Sequence, residues 1–88
     1  MARGEDGAVM KKEYQYIRFV QRPSIAERKT SIWDCRNIRH GDLLGIIRWD
    51  GAWRQYVFAP TTISSPIFSA GCLADIQDFI GQLMRARR

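Results

Sequence analysis

Two apolar runs, Leu43-Leu44-Gly45-Ile46-Ile47-Arg48-Trp49 and Trp53-Arg54-Gln55-Tyr56-Val57-Phe58, flank the pair Asp50-Gly51, and this pattern spells a β-hairpin. Tight primed turns favour Asp-Gly because they need positive φ, which glycine adopts freely and aspartate tolerates. A two-residue turn pairs Trp49 with Ala52, Arg48 with Trp53 and Ile46 with Gln55. A three-residue loop instead sets Trp49 opposite Trp53 and Ile47 opposite Gln55. The two registers put different side chains on a shared face, and both stay open at this stage. Apolar residues on both faces of both strands predict the middle of a sheet, covered on one side by a helix and on the other by a partner or by long side chains.

Upstream, Lys12 to Val20 reads as a first strand, with Gln15, Ile17 and Phe19 on one face and Tyr14, Tyr16 and Arg18 on the other. Arg22-Pro23-Ser24 ends it. Thr30 to Ile38 alternates again: Ser31, Trp33 and Cys35 share the side expected to be buried, and Ile32, Asp34 and Arg36 share the other. Arg39-His40-Gly41-Asp42 makes the next turn. Beyond Ala59-Pro60 a polar connection leads to Ile67-Phe68, long enough for a short edge strand only. The period then changes. Cys72, Leu73, Ile76, Phe79, Ile80, Leu83 and Met84 fall on one helical face, and Asp75, Gln77, Asp78 and Gln82 mark the wet side. Ser69 is the expected N-cap, with Asp75 and Asp78 toward the positive end of the helix and Arg85, Arg87 and Arg88 at the negative end. The predicted fold is α+β: an antiparallel meander of four or five strands with one C-terminal amphipathic helix packed on a face.

At 88 residues, 45% hydrophobic and 26% charged, the composition is that of one soluble globular domain. Residues 1–11 show no periodicity and read as a flexible leader, with Met10 an alternative start; residues 12–88 form the domain. So small a core implies a stability of order ~5 kcal/mol, which self-association would raise by covering apolar surface. The longest apolar runs fall far short of the roughly 18–20 residues that cross a bilayer, and the N-terminus lacks the pattern of a secretory signal. The expected address is cytoplasmic. Cys35 and Cys72 are too few for a disulfide framework and are read as buried thiols.

Fourteen Lys and Arg against nine Asp and Glu give a net charge of +5. Arg48 and Arg54 interleave with Trp49, Trp53 and Tyr56, and a basic, aromatic sheet surface is how several modules stack bases and hold phosphates. The competing reading places the aromatics in the core and spreads the cations along the chain from Arg3 to Arg88. His40 is the only histidine and sits in a turn, and no nucleophile motif accompanies it. Cys35, Cys72 and His40 lack zinc-ligand spacing. Neither enzymatic activity nor a metal or cofactor is expected.

Leu44-Gly45-Ile46-Ile47-Arg48-Trp49, Trp53-Arg54-Gln55-Tyr56-Val57-Phe58-Ala59-Pro60 and Cys72-Leu73-Ala74-Asp75-Ile76-Gln77-Asp78-Phe79-Ile80 together resemble a group of short bacterial and prophage proteins. The resemblance spans residues 30–84 and implies a small cytoplasmic protein of a mobile element, with no activity or binding site to carry over. Two functions follow as expectations. One is a non-catalytic protein-binding protein, self-associating as a homodimer, with Trp33, Arg48, Trp49, Trp53, Arg54 and Tyr56 as its interaction face. The alternative is a nucleic-acid-binding accessory protein using the same basic, aromatic surface.

Overall fold

The C-terminal helix and the central strands form where the apolar periodicity puts them, and they meet in one core. The computed structural model describes residues 10–23 and 29–87. Four strands, β1 (Ile17–Gln21), β2 (Trp33–Asn37), β3 (Leu43–Asp50) and β4 (Gln55–Pro60), form one antiparallel sheet in sequential order. Helix α1 (Ala70–Ala86) lies across one face. The fold is thus an α+β meander with four strands. Ile67 and Phe68 add no fifth: Ile67 is exposed, and the Phe68 ring packs edge-on against Phe58 with centroids 5.3 Å apart.

Alternation along the strands decides what α1 covers. Ile17 and Phe19 of β1, Trp33 and Cys35 of β2, Ile47 of β3 and Tyr56 of β4 are all buried beneath it. From the helix come Ile76, Phe79 and Leu83, spaced as one face. Phe79 is the centre of this layer: its ring stacks on Phe19 at 4.1 Å and meets Trp33 edge-on at 5.0 Å. The polar ends of Trp33 and Tyr56 converge on Ser31, whose Oγ accepts from Trp33 Nε1 at 2.7 Å and whose N–H donates to the Tyr56 hydroxyl at 3.2 Å. A buried Trp and Tyr therefore keep their hydrogen bonds.

The ends of the elements depart from the expectation. The first strand begins at Ile17 because the chain reverses before it: Tyr14 N–H donates to the Ile17 carbonyl and Phe19 N–H to the Lys12 carbonyl, both at 2.8 Å. This reversal carries Tyr14 into the core. Of the leader, residues 1–9 lie outside the described residues; Met10 packs against the core and Lys11 is tied to α1. Ser69 is the N-cap, accepting from Cys72 N–H at 3.1 Å, yet the first turn holds no acid. Asp75 and Asp78 sit deeper in the helix, and Asp78 accepts a 2.7 Å hydrogen bond from the Tyr14 hydroxyl instead of facing only water.

The hairpin adopts neither expected register. Asp50 pairs with Gln55 and Trp49 with Tyr56, leaving a four-residue loop of Gly51, Ala52, Trp53 and Arg54. Asp50 closes one helix-like turn, its carbonyl accepting from Arg54 N–H at 2.7 Å and its Oδ1 from Ala52 N–H at 3.0 Å. Arg54, at φ 56, makes the left-handed exit that the Asp-Gly pair was expected to supply. The aspartate acts through its side-chain oxygen, and the glycine is not the left-handed residue.

Candidate interaction surface

Because α1 covers one face only, Arg18 and Val20 of β1, Asp34 and Arg36 of β2, Ile46 and Arg48 of β3 and Val57 and Ala59 of β4 lie on a second face that no described helix or strand covers, and a register shift after Cys35 sets Leu43 opposite Arg36. The register arranges this face in three rows running across the strands. The middle row is Val20, Asp34, Ile46 and Ala59. Arg18 and Arg36, directly opposite each other, form one flank. Arg22 and Arg48, separated by Ile32 and followed by Val57, form the other, with Arg22 N–H donating to the Ile32 carbonyl. The rows arise from strand spacing alone: Arg18 and Arg22 are four residues apart, as are Ile32 and Arg36.

The single acid in the middle row is fully engaged. Asp34 Oδ1 accepts from Arg22 Nε at 2.6 Å and Oδ2 from Arg36 Nη2 at 3.1 Å, while Arg36 Nη1 donates to the Gly41 carbonyl at 2.8 Å. Exposed ion pairs of this kind add little stability, but they fix where the guanidinium groups sit. Arg18 and Arg48 have no carboxylate at ion-pair distance among the described residues. Between the flanks Ile46 and Ala59 are half-buried and Val20 is exposed, and Val57 at the end of one flank is half-buried too. At the β3–β4 end the middle row opens into a groove of about 280 Å³, lined by Leu43, Ile46, Ala59, Pro60, Thr62 and Ile63.

The six residues expected to share an interaction face do not share one. Trp33 and Tyr56 are buried under α1. Trp49 lies on that same side, half-buried, edge-on to Tyr56 at 5.4 Å and capped by the Arg87 guanidinium 4.0 Å above its ring. Trp53, 69% exposed, and Arg54 sit at the hairpin tip. Arg48 alone belongs to the uncovered face. Sequence reasoning followed the tryptophans, of which Trp33 and Trp49 pack on the helix side; the arginines of the wet faces, Arg18 and Arg36, were visible in the same alternation and mark the uncovered face better.

Among the described residues no other chemistry gathers. Cys35 is buried and Cys72 half-buried, and burial pushes the Cys35 thiol up to about 12, with the neighbouring Cys72 adding to it. His40 is exposed and lines an open groove of about 670 Å³ with Gln15, Tyr16, Asn37, Ile38 and Arg39. Among the described residues no three His, Cys, Asp or Glu side chains are placed to hold a metal ion, and no helix is long and apolar enough to cross a membrane.

No family model matches the chain, and no solved structure matches it. A curated phage protein does: the "Uncharacterized 9.3 kDa protein" of Acholeplasma phage L2 is 34% identical over 77 residues, covering 88% of this chain and 95% of the phage protein. With that identity along nearly the whole of both chains, the protein belongs to the family of this phage protein.

Proposed function

We propose that this is a small non-catalytic docking protein of a mobile element, which binds another protein through the uncovered face of its sheet. The observation that supports this most is the composition of that face, where Ile46, Val57 and Ala59 lie half-buried among arginines instead of being replaced by polar side chains. An exposed sheet face with no partner is usually polar throughout, in alternation with an apolar inner face.

Self-association has weaker support than the sequence suggested. The expectation was that a dimer would cover apolar surface, and much of that surface, Trp33 included, is already under the helix. Two copies stacked with aligned strands would also bring arginine rows onto arginine rows, and the uncovered area, a sheet of four strands about 4.8 Å apart, is small against the roughly 800 Å² per partner of a standard interface. Nucleic-acid binding is the second reading, favoured by the four arginines on one face. It lacks the aromatic platform, since Trp33, Trp49 and Tyr56 all lie on the helix side.

A photo-crosslinking residue placed at Val57, with one at Gln77 on the exposed side of α1 as control, tests the docking reading inside cells carrying the element. Discrete protein adducts at Val57 and none at Gln77 are expected. Adducts to nucleic acid alone, or none at Val57, would overturn it. Light scattering of the purified chain should return the 10.2 kDa monomer.

A further inference from the structure

We infer that the docking face takes one kind of partner element: an amphipathic helix with an apolar ridge and acidic residues on both flanks. The inference rests on the docking reading and specifies its partner.

The argument is one of shape and charge. The middle row, Val20 to Ala59, crosses four strands and is therefore about 14 Å long between its end residues, the length of a helix of roughly ten residues. The arginine rows lie four residues apart along the strands, about 13 Å, with the middle row between them. A helix about 10 Å across, laid along that row, would project the side chains beside its ridge over Arg18 on one flank and over Arg48 on the other, while the guanidinium groups of Arg22 and Arg36 are drawn onto Asp34 between them. Asp34 does not oppose this, because both of its oxygens are occupied by Arg22 and Arg36. The open groove of about 280 Å³ beside Ile46 and Ala59 supplies what a flat sheet lacks, a place for one leucine or phenylalanine of the ridge to rest. A strand is the poorer occupant. Both sheet edges are partly engaged, by the Lys12–Tyr14 segment at β1 and by Met84 at β4, where Pro60 also lacks a donor.

Fluorescence anisotropy with two synthetic helical peptides sharing one leucine ridge, one flanked by glutamates and one by lysines, tests this on the full chain. The glutamate-flanked peptide should bind roughly tenfold tighter at low salt, a preference that shrinks as salt screens the flanks. The exposed pair Arg18→Glu and Arg48→Glu, made together and checked for an unchanged circular dichroism spectrum, should reverse the preference toward the lysine-flanked peptide. Ile46→Ala should weaken both peptides alike. Equal binding of the two peptides, or a preference that the charge reversal leaves untouched, would overturn the inference. So would tighter binding of a duplex or single-stranded oligonucleotide, or a doubled mass in light scattering, each lost with the same variants. If neither peptide binds while Val57 still crosslinks to protein, the acidic helix is wrong and docking stands; if both fail, so do both readings.

Discussion

Adding one methyl group at Gly45 tests how β3 and β4 are held together at the groove. A Cβ built there falls 2.6 Å from the Ala59 carbonyl oxygen and 2.6 Å from Phe58 Cζ. The Phe58 ring can turn away only by leaving Phe68, against which it packs edge-on, and the carbonyl belongs to the paired strand. The strands must therefore part by several tenths of an ångström to regain ordinary contact. Overpacking of this kind costs about 1–3 kcal/mol, while Gly→Ala returns about 0.4–1 kcal/mol by stiffening the unfolded chain. The clash wins. Gly45→Ala should destabilise by about 1.5 kcal/mol, lowering Tm by roughly 6–12 °C in a domain of this size. Urea unfolding followed by tryptophan fluorescence measures it. Gly41→Ala is the comparison: nothing lies within 4 Å of its Cβ, but φ +77 is left-handed, so strain of about 1–2 kcal/mol outweighs the same entropic gain by less. A Gly45→Ala protein as stable as the parent would show that β4 yields freely at Ala59, and the reasoning about the groove would fall with it.

Other expectations concern the hairpin, the N-terminal clamp and the thiols. Gly51→Ala should be neutral or stabilising by about 0.5 kcal/mol, and Arg54→Gly neutral within about 0.5 kcal/mol, since Arg54 holds the left-handed position; a strongly destabilised Gly51→Ala would restore the two-residue turn. Tyr14→Phe removes a donor to Asp78 and an acceptor for Gln82 and should cost about 1–2 kcal/mol in chemical denaturation. Burial, then the Asp78 carboxylate, push the Tyr14 hydroxyl far above its ordinary 10.0, so the stability its neutral form supplies is complete below pH 10 and is lost as pH rises beyond it. In Tyr14→Phe that alkaline loss should shrink; an unchanged pH profile would remove Tyr14 as its source. Iodoacetamide should modify Cys72 in the native protein and spare Cys35, buried and pushed up to about 12, until urea unfolds the chain; equal rates would contradict this burial.

What the sequence made legible was periodic. Trp33 and Cys35 alternate with Asp34 and Arg36, and Ile76, Phe79 and Leu83 repeat as one helical face; each set has one buried side, so its register with the core is over-determined. What it concealed depends on contacts distant along the chain. The reversal before β1 is closed partly from α1, where Gln82 both donates to the Lys11 carbonyl and accepts from its N–H, 71 residues away. The four-residue hairpin loop is decided by the pairing of Trp49 with Tyr56 and Ile47 with Phe58, which keeps each large side chain on the covered face. Relative to the two-residue turn this is a slip of four residues; being even, it preserves the faces. The six candidate face residues are scattered for a related reason. Large aromatics carry most apolar area and go to the core, so arginine placement, not tryptophan, separates the inner face from the outer.

The sheet's edges constrain how any partner can approach. Thr61 N–H donates to the Leu44 carbonyl, so the antiparallel ladder turns the N–H groups of Tyr56 and Phe58, and position 60, toward the outer edge of β4. Tyr56 N–H is taken by Met84 Sδ at 3.4 Å, and Pro60 has no N–H to offer. At the opposite edge, Tyr14 and Lys12 occupy the Ile17 carbonyl and the Phe19 N–H. An added strand would thus find a single outward donor on β4, Phe58 N–H, too few for a ladder. Backbone pairing, which is indifferent to sequence, is restricted at both edges. On the docking reading proposed above, recognition falls to the uncovered face, where side-chain charge would discriminate between partners and where reversing two arginines should redirect the choice without touching the core.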